Sequence, residues 1–229
     1  MAVAIDRARS VKDAIESVGV PHPEVDLILV DGVSVDFTHV LRGGERVAVY
    51  PMFEALDIAP VRRLRGLPLR EPRFVADVHL GKLARHLRMA GFDTRYAPDW
   101  DDDHIVARAA TERLTILTRD KGMLRRSDVE RGYFVRATAA DEQLREVVAA
   151  LQLEARLAPF SRCRECNALL EEAPRESVLE QLPARVRGSY TRFKRCPRCA
   201  RVYWEGTHYA RMRSLIERVG GVDQAEQSR

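Results

Sequence analysis

The sequence predicts an α/β protein: a mainly parallel sheet with helices on both faces, a small α/β unit before it and a metal-stapled ribbon after it. Three observations carry that expectation. Between residues 72 and 155 short apolar strands alternate with amphipathic helices. Ahead of them, VKDAIESVGV and VDLILVDGVSV place a helix before a hairpin. Behind them lie two Cys-x-x-Cys pairs, Cys163/Cys166 and Cys196/Cys199.

In the first unit Val11, Ala14, Ile15 and Val18 share one helical face, and Gly19, Pro21 and Pro23 end the helix. VDLILV and VSV follow as two strands about an Asp31-Gly32 turn, and RVAVYPMF is a further alternating strand. This order resembles a β-grasp, ubiquitin-like module, in particular the sulfur-carrier-like domain that precedes certain bacterial nucleases. Only MAVAIDRA precedes the helix, so the opening hairpin of such a fold is expected to be truncated. Gly43-Gly44 sits inside a turn rather than at a free C-terminus, which argues against carrier chemistry. The domains are expected at 1–62 (β-grasp module), 63–71 (linker), 72–157 (sheet domain) and 158–218 (ribbon and closing helix), with a disordered tail at 219–229.

In the sheet domain FVA is a buried strand, followed by a helix with Leu80, Leu83, Ala84 and Leu87 on one face. FDTRYA, LTILT and YFVRA are the next strands; DDHIVARAATER and AADEQLREVVAAL are the next helices. Parallel sheets collect their working groups beyond the carboxyl ends of the strands. Asp77 follows FVA, Asp101, Asp102 and Asp103 follow the second strand, and Asp120 follows LTILT by one residue. Each alone is a plausible helix cap. Together, carboxylates sharing one cleft repel one another unless a cation lies among them. Mg²⁺ or Mn²⁺ takes such oxygen ligands and leaves positions for water and phosphate. Lys82, Arg85, His86 and Arg88, with Arg119 and Lys121, would then position an anionic substrate.

The charge distribution points to the same partner. The net charge of +4 hides a split: residues 156–229 carry fifteen Lys/Arg against nine Asp/Glu, whereas residues 1–70 and 71–155 each carry one more acid than base. Seven cations and no acid lie between Gln181 and Trp204. A basic segment with Tyr190, Phe193, Tyr203, Trp204 and Tyr209 interleaved suits nucleic acid, although the aromatics serve equally as a small core. At 45% hydrophobic and 31% charged the chain is not a disordered one. No apolar run nears the roughly 20 residues that cross a bilayer, and the N-terminus lacks a signal-peptide core, so the cytoplasm is the expected location.

The two knuckles, SRCREC and KRCPRC, have 29 residues between Cys166 and Cys196. Four thiolates suit a structural, tetrahedral Zn²⁺; matched pairs fit one ion better than a redox dithiol. His208, near the ribbon, is then surplus as a ligand.

FVADVHLGKLARHLRMAGFDTRY, DDDHIVARAA and LTILTRDKGML, with the knuckles, resemble the Mut-seven C-terminal RNase domain, a branch of the PIN-like nucleases, over about Arg73 to Arg218. The resemblance implies a metal-dependent ribonuclease in which Asp77, Asp102 and Asp120 hold metal. Asp103 stands as substitute for Asp102, and Asp128 or Asp141 as a fourth acid. Arg88 and Arg119 would touch substrate, and Arg192, Lys194 and Arg195 of the ribbon would grip RNA. A protein partner for the β-grasp module goes with it. The alternatives are a non-catalytic RNA- or ribosome-binding adaptor, and a phosphotransferase using Asp77, which DVHLGK disfavours by lacking an aspartate two residues on.

Overall fold

The structure is a computed structural model and describes residues 8–51, 63–64 and 72–221. Residues 1–7 of the opening segment, where a truncated hairpin is expected, most of the linker and the tail beyond Gly221 lie outside the described residues. In the first module β1 (Arg9–Ser10) leads into α1 (Val11–Ser17), with the Ser10 hydroxyl capping Asp13 N–H at 3.1 Å. Then come β2 (Val25–Val30), β3 (Val33–Val35), β4 (Val40–Leu41) and β5 (Val47–Pro51). Strands β3, β2 and β5 form one antiparallel sheet, and β1 pairs with β4. Asp31 and Gly32, at φ 48° and 83°, make the left-handed hairpin turn between β2 and β3. Val11, Ile15, Val25, Ile28, Val30 and Leu41 form this module's core.

The second module contains β6 (Arg73–Ala76), α2 (Gly81–Met89), β7 (Asp93–Arg95), α3 (Asp102–Glu112), β8 (Thr115–Thr118), α4 (Lys121–Leu124), β9 (Gly132–Phe134) and α5 (Ala140–Ala150). Its four strands are all parallel, in the order β7-β6-β8-β9. Strand alternation sends Phe74, Ala76 and Leu117 into a core with α2 and α5, and Val75 and Ile116 into a second core with α3 and α4. Burial on both faces explains why FVA and TILT read as continuous apolar runs. The order reverses between β6 and β8, which places the switch point between Asp77 and Asp120.

Both edges of this sheet are closed by an acceptor from a flanking module. At β9 the Glu24 carboxylate accepts Phe134 N–H at 2.7 Å and pairs with Arg136 at 3.1 Å. At β7 the Asn167 side chain accepts Thr94 N–H at 3.2 Å. Each satisfies an edge donor that would otherwise invite another strand.

The last segment forms β10 (Glu171–Ala173), α6 (Arg175–Val178), α7 (Ala184–Arg187), β11 (Phe193–Arg195), β12 (Val202–Trp204) and α8 (Thr207–Val219). Strands β10, β11 and β12 make an antiparallel ribbon over Val178, Leu182, Val186 and Phe193. Helix α8 does not share that small core. Its Met212, Leu215, Ile216 and Val219 are buried with Leu83, Leu87, Leu144 and Val148 of the sheet module. A boundary at 157/158 therefore separates a helix from the core it completes. No helix among the described residues is long and apolar enough to cross a membrane.

Candidate active site and metal centre

Asp77 leaves β6 with its backbone N–H still bonded to Leu117 O at 2.9 Å, so the sheet itself fixes its position. Its carboxylate is buried, at 3% exposure. One oxygen accepts His79 N–H at 3.2 Å, and the other accepts the Thr118 hydroxyl at 2.6 Å. That same hydroxyl accepts Asp120 N–H at 2.9 Å. Thr118, the last residue of β8, thus holds the two strand-end acids in fixed relation. The Asp120 carboxylate caps α4 through Gly122 N–H at 2.6 Å.

The three consecutive aspartates separate into three roles. Asp101 is the N-cap of α3, accepting His104 N–H at 2.8 Å. Asp103 turns to Arg126 at 2.6 Å, which also holds Asp128 at 2.9 Å. Asp102 has neither task. Partial burial, then Asp120, then Asp77 raise its carboxyl above the usual range, so the three acids lie within electrostatic reach of one another. They are not drawn into one tight shell. Among the described residues only the four cysteines bring three or more ligand atoms within 4.8 Å of each other. The donor set still suits a hard cation: it is all oxygen, and Asp102 carries a repulsion that a divalent charge would relieve. Asp103 and Asp128, expected as a substitute and a fourth acid, are both paired with Arg126. Asp141 lies in the first turn of α5, 3.6 Å from His86 rather than beside Asp77.

A cleft of about 1000 Å³ lies between α2 and the start of α5, lined by His79, Lys82, Arg85, His86, Tyr96 and Arg145 among others; Asp77, Asp102 and Asp120 are not in its lining. A Cβ at Gly81 would stand 2.5 Å from the Tyr96 hydroxyl, so a larger residue there would displace the Tyr96 ring. Lys82 and Arg85 are exposed on α2, with Arg85 3.6 Å from Glu165. Burial lowers the His86 pKa, keeping the ring neutral to lower pH than usual. Arg119 is exposed and donates to Ala137 O at 3.1 Å; Lys121 lies 5.1 Å from the Phe134 ring centre.

Arg88 is not where a substrate contact would be. It is 4% exposed, and its guanidinium donates to Thr94 O at 2.9 Å, Arg164 O at 3.2 Å and Glu165 O at 2.7 Å. It points into the seam between β7 and the first knuckle. The helix face seen in the sequence did not separate it from Arg85, three residues earlier, which does face solvent.

The four thiols converge. Cys163 and Cys199 sulfurs lie 3.6 Å apart, and Cys166 and Cys196 sulfurs 3.3 Å apart, each pair drawn from both knuckles. A tetrahedral Zn²⁺ with bonds of about 2.3 Å spaces its sulfurs about 3.8 Å apart, so the set fits one ion with a slight expansion. The two knuckles have the same build. Asn167 N–H returns to Cys163 O and Ala200 N–H to Cys196 O, both at 2.9 Å, and both residues are left-handed, at φ 68° and 59°. Tyr203 places its hydroxyl 3.0 Å from the Cys163 sulfur. Burial alone would raise that thiol; hydrogen bonds from Tyr203 and the backbone outweigh it and bring the thiol to about 7. His208 is engaged by Arg164 at 2.7 Å and stays outside the cysteine cluster. Of the ribbon cations, Arg192 pairs with Glu205 at 2.7 Å, Lys194 with Glu172 at 3.5 Å, and Arg195 is exposed.

Thr118 and Asn167 were not singled out from the sequence. The signal for Thr118 was a hydroxyl closing an otherwise apolar strand, LTILT. For Asn167 it was an amide directly after a knuckle, where a left-handed residue is needed.

Two family models match the chain: one described as the Mut7-C RNAse domain over residues 72–216, and one described as Mut7-C ubiquitin over residues 1–57. No curated protein and no solved structure matches it.

Proposed function

The chain belongs to the Mut7-C RNAse domain family, and on that premise we propose that it is a Mg²⁺- or Mn²⁺-dependent ribonuclease hydrolysing RNA phosphodiester bonds at the Asp77, Asp102 and Asp120 cluster. One observation carries the reading: Asp77 and Asp120 are locked together through Thr118, while Asp102 is lifted by the charge of both. Asp77 and Asp120 also cap the turns that follow them, but a cap alone, as at Asp101, needs neither the Thr118 bridge nor the charge felt at Asp102.

The three carboxylates would hold the divalent ion, which supplies a water of lowered pKa and a counter-charge for the leaving oxygen. Thr118 and His79 N–H hold the Asp77 carboxylate in a fixed orientation. Lys82 and Arg85 neutralise the phosphates entering along α2, and Arg119 and Lys121, on either side of Asp120 in the chain, add positive charge near the acids. The cysteine centre, suited to structural Zn²⁺, holds the ribbon folded and takes no part in the chemistry.

Wild type with Mn²⁺ is expected to cleave unstructured RNA, and Asp77→Asn to lose cleavage while retaining RNA binding. Cleavage by Asp77→Asn equal to wild type would dismiss the reading. The adaptor alternative is favoured by the absence of a tight carboxylate shell among the described residues, and it predicts binding that is indifferent to Mn²⁺.

A further inference from the structure

Between the cysteine ribbon and the C-terminal end of α2 lies a second groove, of about 910 Å³. Its lining includes Arg162, Arg164, Arg185, Arg192, Lys194 and Arg201 against only two carboxylates, Glu172 and Glu205. Tyr190, Trp204 and Tyr209, all half-buried, also face it. Tyr209 is held by stacking on Phe160, which also lines the groove, at 4.0 Å and 28°. Trp204 and Tyr190 rest on the ribbon's small core. Each is an aromatic plane held by packing beside guanidinium groups, the combination that takes unpaired bases and their phosphates. Arg192, Lys194, Arg201, Arg164 and Arg162 already meet Glu205, Glu172, Glu165 and Asp93. Six cations against these four acids still leave the groove net positive. An apolar peptide would not answer that charge, and a regular duplex would keep its bases stacked away from these rings.

The groove and the α2 cleft are linked through one side chain. Glu165 bridges the two, lying 3.6 Å from Arg85 on the cleft side and 3.5 Å from Arg201 on the groove side. Arg164 adds a link to His208 on α8 at 2.7 Å. Helix α2, nine residues long, separates the acid cluster at its start from the groove at Met89 by about 12 Å of axial rise.

We propose that this groove is a binding site for unpaired nucleotides lying beyond the scissile one, so that single-stranded RNA runs from the acid cluster along α2 and anchors its bases on Trp204 and Tyr209. This rests on the nuclease reading only for where cleavage occurs; the groove's own chemistry stands without it. It predicts a substrate preference for single strands long enough to span α2.

The test uses full-length protein with zinc retained and a fluorescein-labelled 12-nucleotide oligouridylate, read by anisotropy without added Mg²⁺ or Mn²⁺. Two variants are compared with wild type: Arg185→Glu/Arg192→Glu, both exposed, and Tyr209→Leu, which keeps an apolar contact with Phe160. Circular dichroism and zinc content confirm folding. Each variant should weaken binding at least about tenfold. The charge variant should also flatten the dependence of log affinity on log salt by about 1.4, because two phosphates no longer meet a cation. Quenching of Trp204 by the oligonucleotide, followed in a Trp100→Phe background, reports stacking directly. Binding within twofold of wild type in both variants, or equal binding of a blunt duplex, would overturn the proposal. If wild type binds and the variants do not, yet no protein cleaves with Mn²⁺, the groove stands and the nuclease reading falls. If all cleave and bind alike, the reverse holds.

Discussion

The Thr118 hydroxyl donates to the buried carboxylate of Asp77 at 2.6 Å while accepting Asp120 N–H at 2.9 Å. One side chain therefore couples two acids 43 positions apart in sequence. Thr118→Val keeps the shape and removes the donor. Loss of such a supporting contact should lower metal affinity or activity about 10- to 100-fold, measured as the Mn²⁺ concentration giving half-maximal cleavage. Thr118→Ser should restore most of it. An unchanged Mn²⁺ requirement in Thr118→Val would remove the coupling role.

Asp101 and Asp102 are neighbours with different work, and substitution separates them. Asp101→Ala removes the α3 cap and should cost about 1 kcal/mol of stability with cleavage intact. Asp102→Ala loses no cap and should abolish cleavage with little change in melting temperature. Chemical denaturation paired with a cleavage assay distinguishes the two, and swapped phenotypes would reassign the site.

The raised Asp102 carboxyl gives a pH dependence of known sign. Because its pKa is raised on folding, the folded chain keeps a proton that the unfolded chain has already released. Its contribution to stability is fully present below about pH 3.9, the ordinary Asp value, and is lost as pH rises through the raised value. The side chain is exposed, so the loss is under about 1 kcal/mol. Asp102→Asn should be the more stable protein at neutral pH without divalent ions, with the difference vanishing in acid. Adding Mn²⁺ should restore stability to wild type only. Thermal melts across that range check both statements.

Arg88 ties the first knuckle to the sheet module. Arg88→Met removes three donors from Thr94, Arg164 and Glu165 carbonyls in a buried seam. It should cost about 2–4 kcal/mol and expose the first knuckle to limited proteolysis. Stability within about 0.5 kcal/mol of wild type, the scatter of surface substitutions, would show that the seam is held by other contacts.

The strands and helices were legible because their patterns are local. VKDAIES, FVA and LTILT each declare period and burial within one short window. The knuckles were legible because two-residue spacing is dictated by one ion. The division of labour among Asp101, Asp102 and Asp103 was not legible, since it depends on which carboxylate meets His104 N–H and which meets Arg126, 23 residues later. Arg88 shows the same limit: its partners at Arg164 and Glu165 lie 76 and 77 residues away, and no helical pattern announces them. Helix α8 looked like the end of the ribbon because it follows β12 directly, whereas its apolar face completes a core begun at Phe74.

The most direct test is anomalous diffraction from crystals grown with Mn²⁺. The account predicts one or two Mn²⁺ peaks bonded to oxygens of Asp77, Asp102 and Asp120, about 2.0–2.3 Å away, and no such peak in Asp77→Asn crystals. Mn²⁺ absent from that cluster, in protein that cleaves RNA, would contradict it.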